Sequence, residues 1–161
     1  MVLSVVAEGA RPGEVLCAAR GDGAWALDRA GQRRPLRASS ASGLVAFDPG
    51  YLPSWGRTER PARIIAELLR RNRFGLRMLS TSVTLAQQVR GALAGNVVEE
   101  VKPWDVAAGA LLLSEAGAPV ADLAGQPWRI DGTGLVSGST PEVHAELLDA
   151  VAAALQGLDH S

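Results

Sequence analysis

The 161 residues carry 47% hydrophobic side chains, which fits one globular domain with a real core and argues against a disordered tail. A formal net charge of -1 provides no field for gathering nucleic acid or an anionic membrane. The single cysteine, Cys17, excludes an internal disulfide and matches a reducing cytoplasm, while the absence of a charged-then-apolar leader or a bilayer-length apolar run makes a cytoplasmic location the expectation.

Residues 2–7, 14–19 and 24–27 are short apolar runs separated by glycine and proline, and they read as strands of an antiparallel meander. Gly21-Asp22-Gly23 and Arg29-Ala30-Gly31 supply its turns. A small-residue joint at 39–42 leads to a buried strand at 43–47, and residues 48–60, with Pro49, Gly50, Pro53 and Gly56, read as a loop. Pro61 suits the opening of a helix because its missing N–H falls where no intrahelical bond is required. Ile64, Ile65, Leu68 and Leu69 share one face of that helix, and Asn72 is its expected stop.

Residues 76–79 are expected to form a strand entering a turn at Ser80-Thr81. A helix over 82–93 would then bury Leu85, Ala86, Val89 and Leu93, followed by a strand at 97–101. The helix around Asp105 runs to Ala116, where Gly117 is a natural C-terminal cap, and its small residues allow neighbours to approach closely. Short strands are expected at 119–122 and 134–137. Thr140-Pro141 then caps a last helix with Val143, Leu147, Leu148, Val151 and Leu155 in one stripe, before a frayed end at 158–161.

Asp105 is the leading candidate for chemistry. It follows the Pro103-Trp104 corner at the electropositive start of a helix, where a carboxylate can hold a cation or face a phosphate. Magnesium takes few protein ligands, all hard oxygens, so one carboxylate there makes a sensible partial site. The alternative is a helix-start carboxylate that complements the dipole, worth about 0.5–2 kcal/mol. Ser80 and Thr81, in a tight strand-to-helix turn, can meet a phosphate or sugar hydroxyl, or simply cap the helix with Ser82.

Other polar residues read more simply. Glu99 and Glu100 read as a solvated strand end. Ile130-Asp131-Gly132-Thr133 is an ordinary turn, with Asp131 outside any metal site. His144 is expected to be a surface or capping residue, and with His160 and Cys17 it gives neither zinc spacing nor a nucleophile-base arrangement. Arg70, Arg71 and Arg73 form a solvated helix end.

The octet Lys102-Pro103-Trp104-Asp105-Val106-Ala107-Ala108-Gly109, with the run from Ser114 to Trp128 and the tail from Leu135 to His144, resembles the inositol monophosphatase family. Arg77-Met78-Leu79-Ser80-Thr81 is similar to that family's loop beside the substrate phosphate and ring, and Ala19 to Trp25 to its glycine-rich hairpin. The resemblance implies an α/β fold equivalent to the C-terminal half of a layered αβαβα arrangement, with a mixed sheet flanked by helices. It implies a single domain over 1–161, with antiparallel hairpin strands in 1–47 and an α/β part in 61–157.

It further implies that Asp105 is a Mg2+ ligand, that Ser80 and Thr81 contact substrate, and that the substrate is a small phosphorylated polyol or sugar. Family members commonly dimerise, so a homodimer is implied, and the family's substrate-contacting glutamate shortly before the Trp-Asp pair implies that role for Glu99 or Glu100 with a shift of one or two residues; the net charge of -1 argues against a nucleic-acid or membrane partner. The family's Gly-Glu-Glu segment and Asp-Pro-x-Asp-Gly-Thr motif, which supply most metal ligands and activate the attacking water, do not occur in these 161 residues. Two readings therefore stay open: a truncated magnesium-dependent phosphomonoesterase, or a noncatalytic remnant that completes a partner chain.

Overall fold

The computed structural model describes residues 2–7, 13–39, 42–50, 59–132 and 134–158. The first strands, β1 (Leu3–Ala7), β2 (Glu14–Ala19), β3 (Gly23–Asp28) and β4 (Arg33–Leu36), form the antiparallel meander in simple order. Val5, Cys17, Trp25 and Pro35 stand opposite one another across it. β4 is absent from the sequence reading because Arg33-Arg34 carries no apolar alternation. Its Pro35 is tolerated because β4 is an edge strand.

The second sheet is mixed. β5 (Leu44–Asp48) lies parallel to both β6 (Gly75–Met78) and β7 (Gly95–Val98), and β9 (Leu135–Gly138) runs antiparallel to β7 and to β8 (Val120–Ala121). The expected division at residue 47 is therefore corrected: β5 pairs only in the second sheet, since its all-apolar Val45, Ala46 and Phe47 need cover on both faces. Helices α1 (Glu59–Arg71), α2 (Thr81–Val89), α3 (Pro103–Glu115) and α4 (Pro141–Leu155) complete the fold.

Two cores make the layers. Leu16, Ala18, Ala24 and Ala26 of the meander pack on Leu85 and Val89 of α2 and on Leu111, Leu112 and Leu113 of α3. Val45 and Phe47 pack on Ile64 and Leu68 of α1 and on Leu147 and Val151 of α4. The order is thus meander, α2 with α3, mixed sheet, α1 with α4, which are four layers of the αβαβα arrangement. Among the described residues no helix covers the outer face of the meander, where Leu3 and Val5 are each 57% exposed.

Element ends differ from expectation for local reasons. α2 stops at Val89 and not near 93, because Gly91 takes a left-handed φ of 78° and its N–H turns back to Gln88. β7 ends at Val98 because Glu100, at φ 47°, leaves the extended region. α1 starts at Glu59, so Pro61 sits within its first turn and not at its opening. The expected features at Pro53, Gly56, Thr133 and His160 lie outside the described residues.

α3 is the shared wall, and its small residues set how closely α2 can lie. A β-carbon on Gly109 would stand 2.4 Å from Leu85 Cδ1 and 2.6 Å from Leu85 Cβ. Gly109→Ala is therefore expected to lower stability by about 1–2 kcal/mol, because overpacking outweighs the better helix propensity of alanine. A fall in urea midpoint with an unchanged slope would show it; a rise would mean that the α2–α3 contact relaxes freely. At the far end of α3, the Glu115 carboxylate accepts the Gly21 N–H at 3.0 Å and the Gly23 N–H at 3.1 Å, fastening the hairpin turn to the helix. The Thr140 hydroxyl accepts the Val143 N–H at 3.3 Å, and Thr140→Ala is expected to cost about 1 kcal/mol in the same titration.

Candidate active site

The parallel strands β5, β6 and β7 point their C-terminal ends at one place, the position where open α/β sheets leave a crevice. β6 leads to the start of α2, β7 to the start of α3, and β5 ends beside both. The result is a cavity of about 240 Å³ lined by Asp48, Gly50, Ser80, Thr81, Ser82, Val101 and Asp105. All three residues singled out from the sequence, Ser80, Thr81 and Asp105, are therefore on one wall system.

Asp105 is the third residue of α3 and its N–H bonds to Lys102 O at 2.9 Å. Its Oδ2 is shielded from solvent and accepts no hydrogen bond among the described residues. A carboxylate oxygen so placed is costly unless something positive meets it. The residue N-terminal to α3, Lys102, makes no side-chain cap bond either.

Ser80 stands at the cap position of α2 in an extended conformation, yet its side chain makes no cap bond. Asp48 caps the helix from across the sheet instead. Its Oδ2 accepts the Thr81 N–H at 2.8 Å and also the Thr81 hydroxyl, and its Oδ1 accepts the Gly50 N–H at 2.8 Å. Both donors of Thr81 are thus committed to Asp48, leaving Ser80 and Ser82 as the hydroxyls on the cavity wall.

Asp48 is the functional candidate that sequence reasoning missed. It opens the loop expected over 48–60, because the strand's apolar run ends at Phe47 and nothing in the neighbouring Pro49-Gly50 singles out its carboxylate. Two carboxylates and three hydroxyls, with no basic residue among the described lining, make an all-oxygen site suited to a hard cation. Among the described residues no three His, Cys, Asp or Glu side chains cluster as a full ligand set. Magnesium is bound through one or two carboxylates with waters or phosphate oxygens completing its shell, so Asp105, through its orphaned Oδ2, and Asp48 fit it as a partial site.

The other candidates lie elsewhere. Glu99 is buried, 2% exposed, and its Oε1 accepts the Arg60 Nε–H at 2.7 Å, so it is a structural ion pair off the cavity wall and no solvated strand end. Asp131 pairs with Arg129 at 3.1 Å on the surface, and that guanidinium holds its carboxyl below the usual range. Arg70 and Arg71 both grip Glu67, Arg71 reaches Asp149 on α4, and Arg73 reaches Glu146. Arg71 thus straps α1 to α4, Arg73 ties the chain just after α1 to α4, Arg70 pairs within α1, and the three do not form a free basic patch.

His144 is half-buried and not a surface residue, with Nε2 shielded and unpartnered among the described residues. Burial pushes its pKa down, opposed by a hydrogen bond involving the Val136 backbone. Since the unfolded chain takes up the proton first, stability should fall as pH drops below about 6.5 and level off below the folded-state pKa. Thermal melts of wild type and His144→Gln across pH 7.5 to 5 check this: the wild type should lose more, and equal losses would remove His144 as the cause.

A layered α/β fold with an oxygen-lined cavity at the ends of parallel strands defines the class. The inositol monophosphatase family model matches residues 1–156, and the chain belongs to that family. It is 35% identical over 146 residues to an inositol-1-monophosphatase of Mycobacterium leprae, covering 89% of this chain and 48% of that protein. It is 29% identical over 144 residues to a putative Nus factor SuhB of Neisseria meningitidis, covering 87% and 52%. Among solved structures, SuhB of Mycobacterium tuberculosis superposes with a TM-score of 0.69 at 30% identity, covering 90% of this chain and 56% of that one. The extragenic suppressor protein SuhB of Bartonella henselae superposes at 0.71 with 24% identity, over 86% and 52%, and speaks for the fold. The chain spans about half the length of the curated relatives it matches.

Proposed function

We propose that this chain forms one wall of the active site of a magnesium-dependent phosphomonoesterase acting on a small polyol or sugar phosphate. The observation that carries the reading is the unpartnered, shielded Oδ2 of Asp105 on a cavity shared with Ser80, Thr81 and Ser82. Family membership supports phosphate-ester hydrolysis as the chemistry. Magnesium, when bound, supplies charge for the phosphate oxygens and lowers the pKa of a water. Asp105 would hold the cation, with Asp48 as the neighbouring carboxylate. Ser80 and Ser82 offer hydroxyls to the ester, while Thr81, at the first turn of α2, shapes the loop through Asp48. The pairing of Arg70, Arg71 and Arg73 with carboxylates supports a small-molecule partner over nucleic acid. No helix among the described residues is long and apolar enough to cross a membrane; a cytoplasmic location is proposed because the buried free thiol of Cys17 suits a reducing compartment.

The test is phosphate release from myo-inositol 1-phosphate and sugar phosphates, with and without Mg2+, alongside Asp105→Ala. Magnesium-dependent turnover at least about 100-fold lower in the variant is expected, as for loss of a group that stabilises transition-state charge. No turnover in either would favour the second reading, a noncatalytic domain completed by another chain. That reading is supported by the edge of β1, unpaired among the described residues, and by the exposed Leu3 and Val5. It predicts association, as a homodimer or with a partner, visible by sedimentation velocity, and Leu3→Lys should weaken it.

A further inference from the structure

A second cavity opens at the far end of α2 from the candidate active site. The helix runs from Thr81 to Val89, so the two places stand about 13 Å apart along its axis. Past Val89 the chain turns at Gly91, where a β-carbon would stand 3.3 Å from Ser39 Oγ. The end of edge strand β4 and the end of α2 bound a cavity of about 330 Å³, whose walls include Arg34, Leu36, Arg37, Ser39, Val89 and Arg90. No carboxylate belongs to its described lining.

Glu14, outside that lining, fixes two of the three arginines. Its Oε1 accepts from Arg90 Nη1 and its Oε2 from Arg34 Nη2 at 3.0 Å, and these guanidiniums, Arg90 foremost, hold its carboxyl below the usual range. Arg90 is thereby held in place, with only 10% of its side chain exposed. A guanidinium carries five N–H donors in a fixed fork, of which Arg34 spends one on Glu14. Arg37 spends none on the described residues. One carboxylate thus organises the donors without using them up. A phosphate group, with its three acceptor oxygens and its charge of about -1.5 to -2, suits several such forks better than a carboxylate does.

We propose that this cavity is a second anion site, which takes a small phosphate-bearing molecule without a metal ion. It stands apart from the proposed active site: the two cavities share no lining residue, and the carboxylates of Asp48 and Asp105 repel an anion that the arginines attract. Its volume lies at the low end of the range of about 300–1,000 Å³ for small-molecule sites, which fits a phosphate, a diphosphate or one compact phosphorylated metabolite.

Titration of the isotope-labelled 161-residue chain with inorganic pyrophosphate in magnesium-free buffer, followed by amide chemical shifts, tests this. Shifts that saturate by about 10 mM are expected at residues 34–39 and 89–91, with Ser80 to Ser82 unmoved. Arg34→Ala and Arg37→Ala should each weaken binding at least about tenfold, as for loss of a hydrogen bond to a charged group. Shifts confined to Ser80 to Ser82, shifts that never saturate, or arginine variants that bind as wild type does would each overturn the site. Acetate binding as tightly as pyrophosphate would overturn the phosphate assignment. A single-stranded oligonucleotide that displaces pyrophosphate at lower concentration would overturn the small-molecule assignment in favour of a nucleic-acid backbone. Both arginines stand at the surface, the Arg34 side chain being 61% exposed, so the variants should fold; should either fail, the wild-type shift map decides alone.

Discussion

Gly50→Ala is expected to lower stability by about 2–5 kcal/mol and to open the site at the same time. The residue has a φ of 72°, where an L side chain costs about 1–2 kcal/mol. A β-carbon there would also lie 1.9 Å from the Glu99 carbonyl oxygen and 2.6 Å from that of Glu100, both backbone atoms that no rotamer change can move aside. Overpacking of that kind adds about 1–3 kcal/mol. Against a typical total of about 5–15 kcal/mol, the loss is large. Because the Gly50 N–H also supports Asp48, the backbone shift that relieves the clash should loosen the Asp48–Thr81 contact. Urea denaturation measures the first effect, and amide exchange at Thr81 the second. A variant as stable as wild type, with Thr81 equally protected, would show that the 48–50 turn is more forgiving than its geometry states.

The second large effect is expected at Arg60. Its Nε–H bonds to Glu99 Oε1 at 2.7 Å, while the other oxygen of this buried carboxylate has no partner among the described residues. Truncation to alanine would leave a charge shut away from water, for which fully buried pairs lose about 3–5 kcal/mol. The Arg60 side chain is 42% exposed, so water can replace part of what it supplies, and a loss of about 1–3 kcal/mol is expected. Glu99→Gln in the Arg60→Ala background should recover part of it, since the stranded charge is then gone. Equal stabilities of Arg60→Ala and its double variant would show that the cost is packing by the arginine stem and not charge.

Much of this fold is legible in the sequence because its signals are local. The meander's glycine turns, the Gly117 stop of α3 and the Thr140-Pro141 start of α4 each follow from residue chemistry within a few positions. What stayed hidden depends on contacts made across the chain. β4 is a strand because β3 lies beside it, not because Arg33-Arg34-Pro35-Leu36 prefers one. β7 stops short because Glu100 turns left, at a residue type that rarely announces it. The site divides along the same line. Asp105, Ser80 and Thr81 stand out by their places at helix starts, but the bond that joins Asp48 to Thr81 spans two strands and could not be seen from either segment alone. The same bond changes what Thr81 offers: a donor pair that reads as open in sequence is already taken in the structure.

The hairpin clasp of Glu115 on Gly21 and Gly23 bears on the order in which the molecule assembles. Strands β1 to β4 need only short loops to close and can zip in succession, whereas β5, β6 and β7 must be joined across intervening helices, a slower search. α3 belongs to both halves, walled by the meander on one side and adjoining β8 on the other. Its clasp needs only the turn between β2 and β3, whereas its N-terminus, with Asp105, gains Asp48, Ser80 and Thr81 as cavity neighbours only with the mixed sheet closed. The cavity is therefore expected among the last things this chain builds and the first it surrenders, which faster amide exchange at Thr81 than along β2 would show.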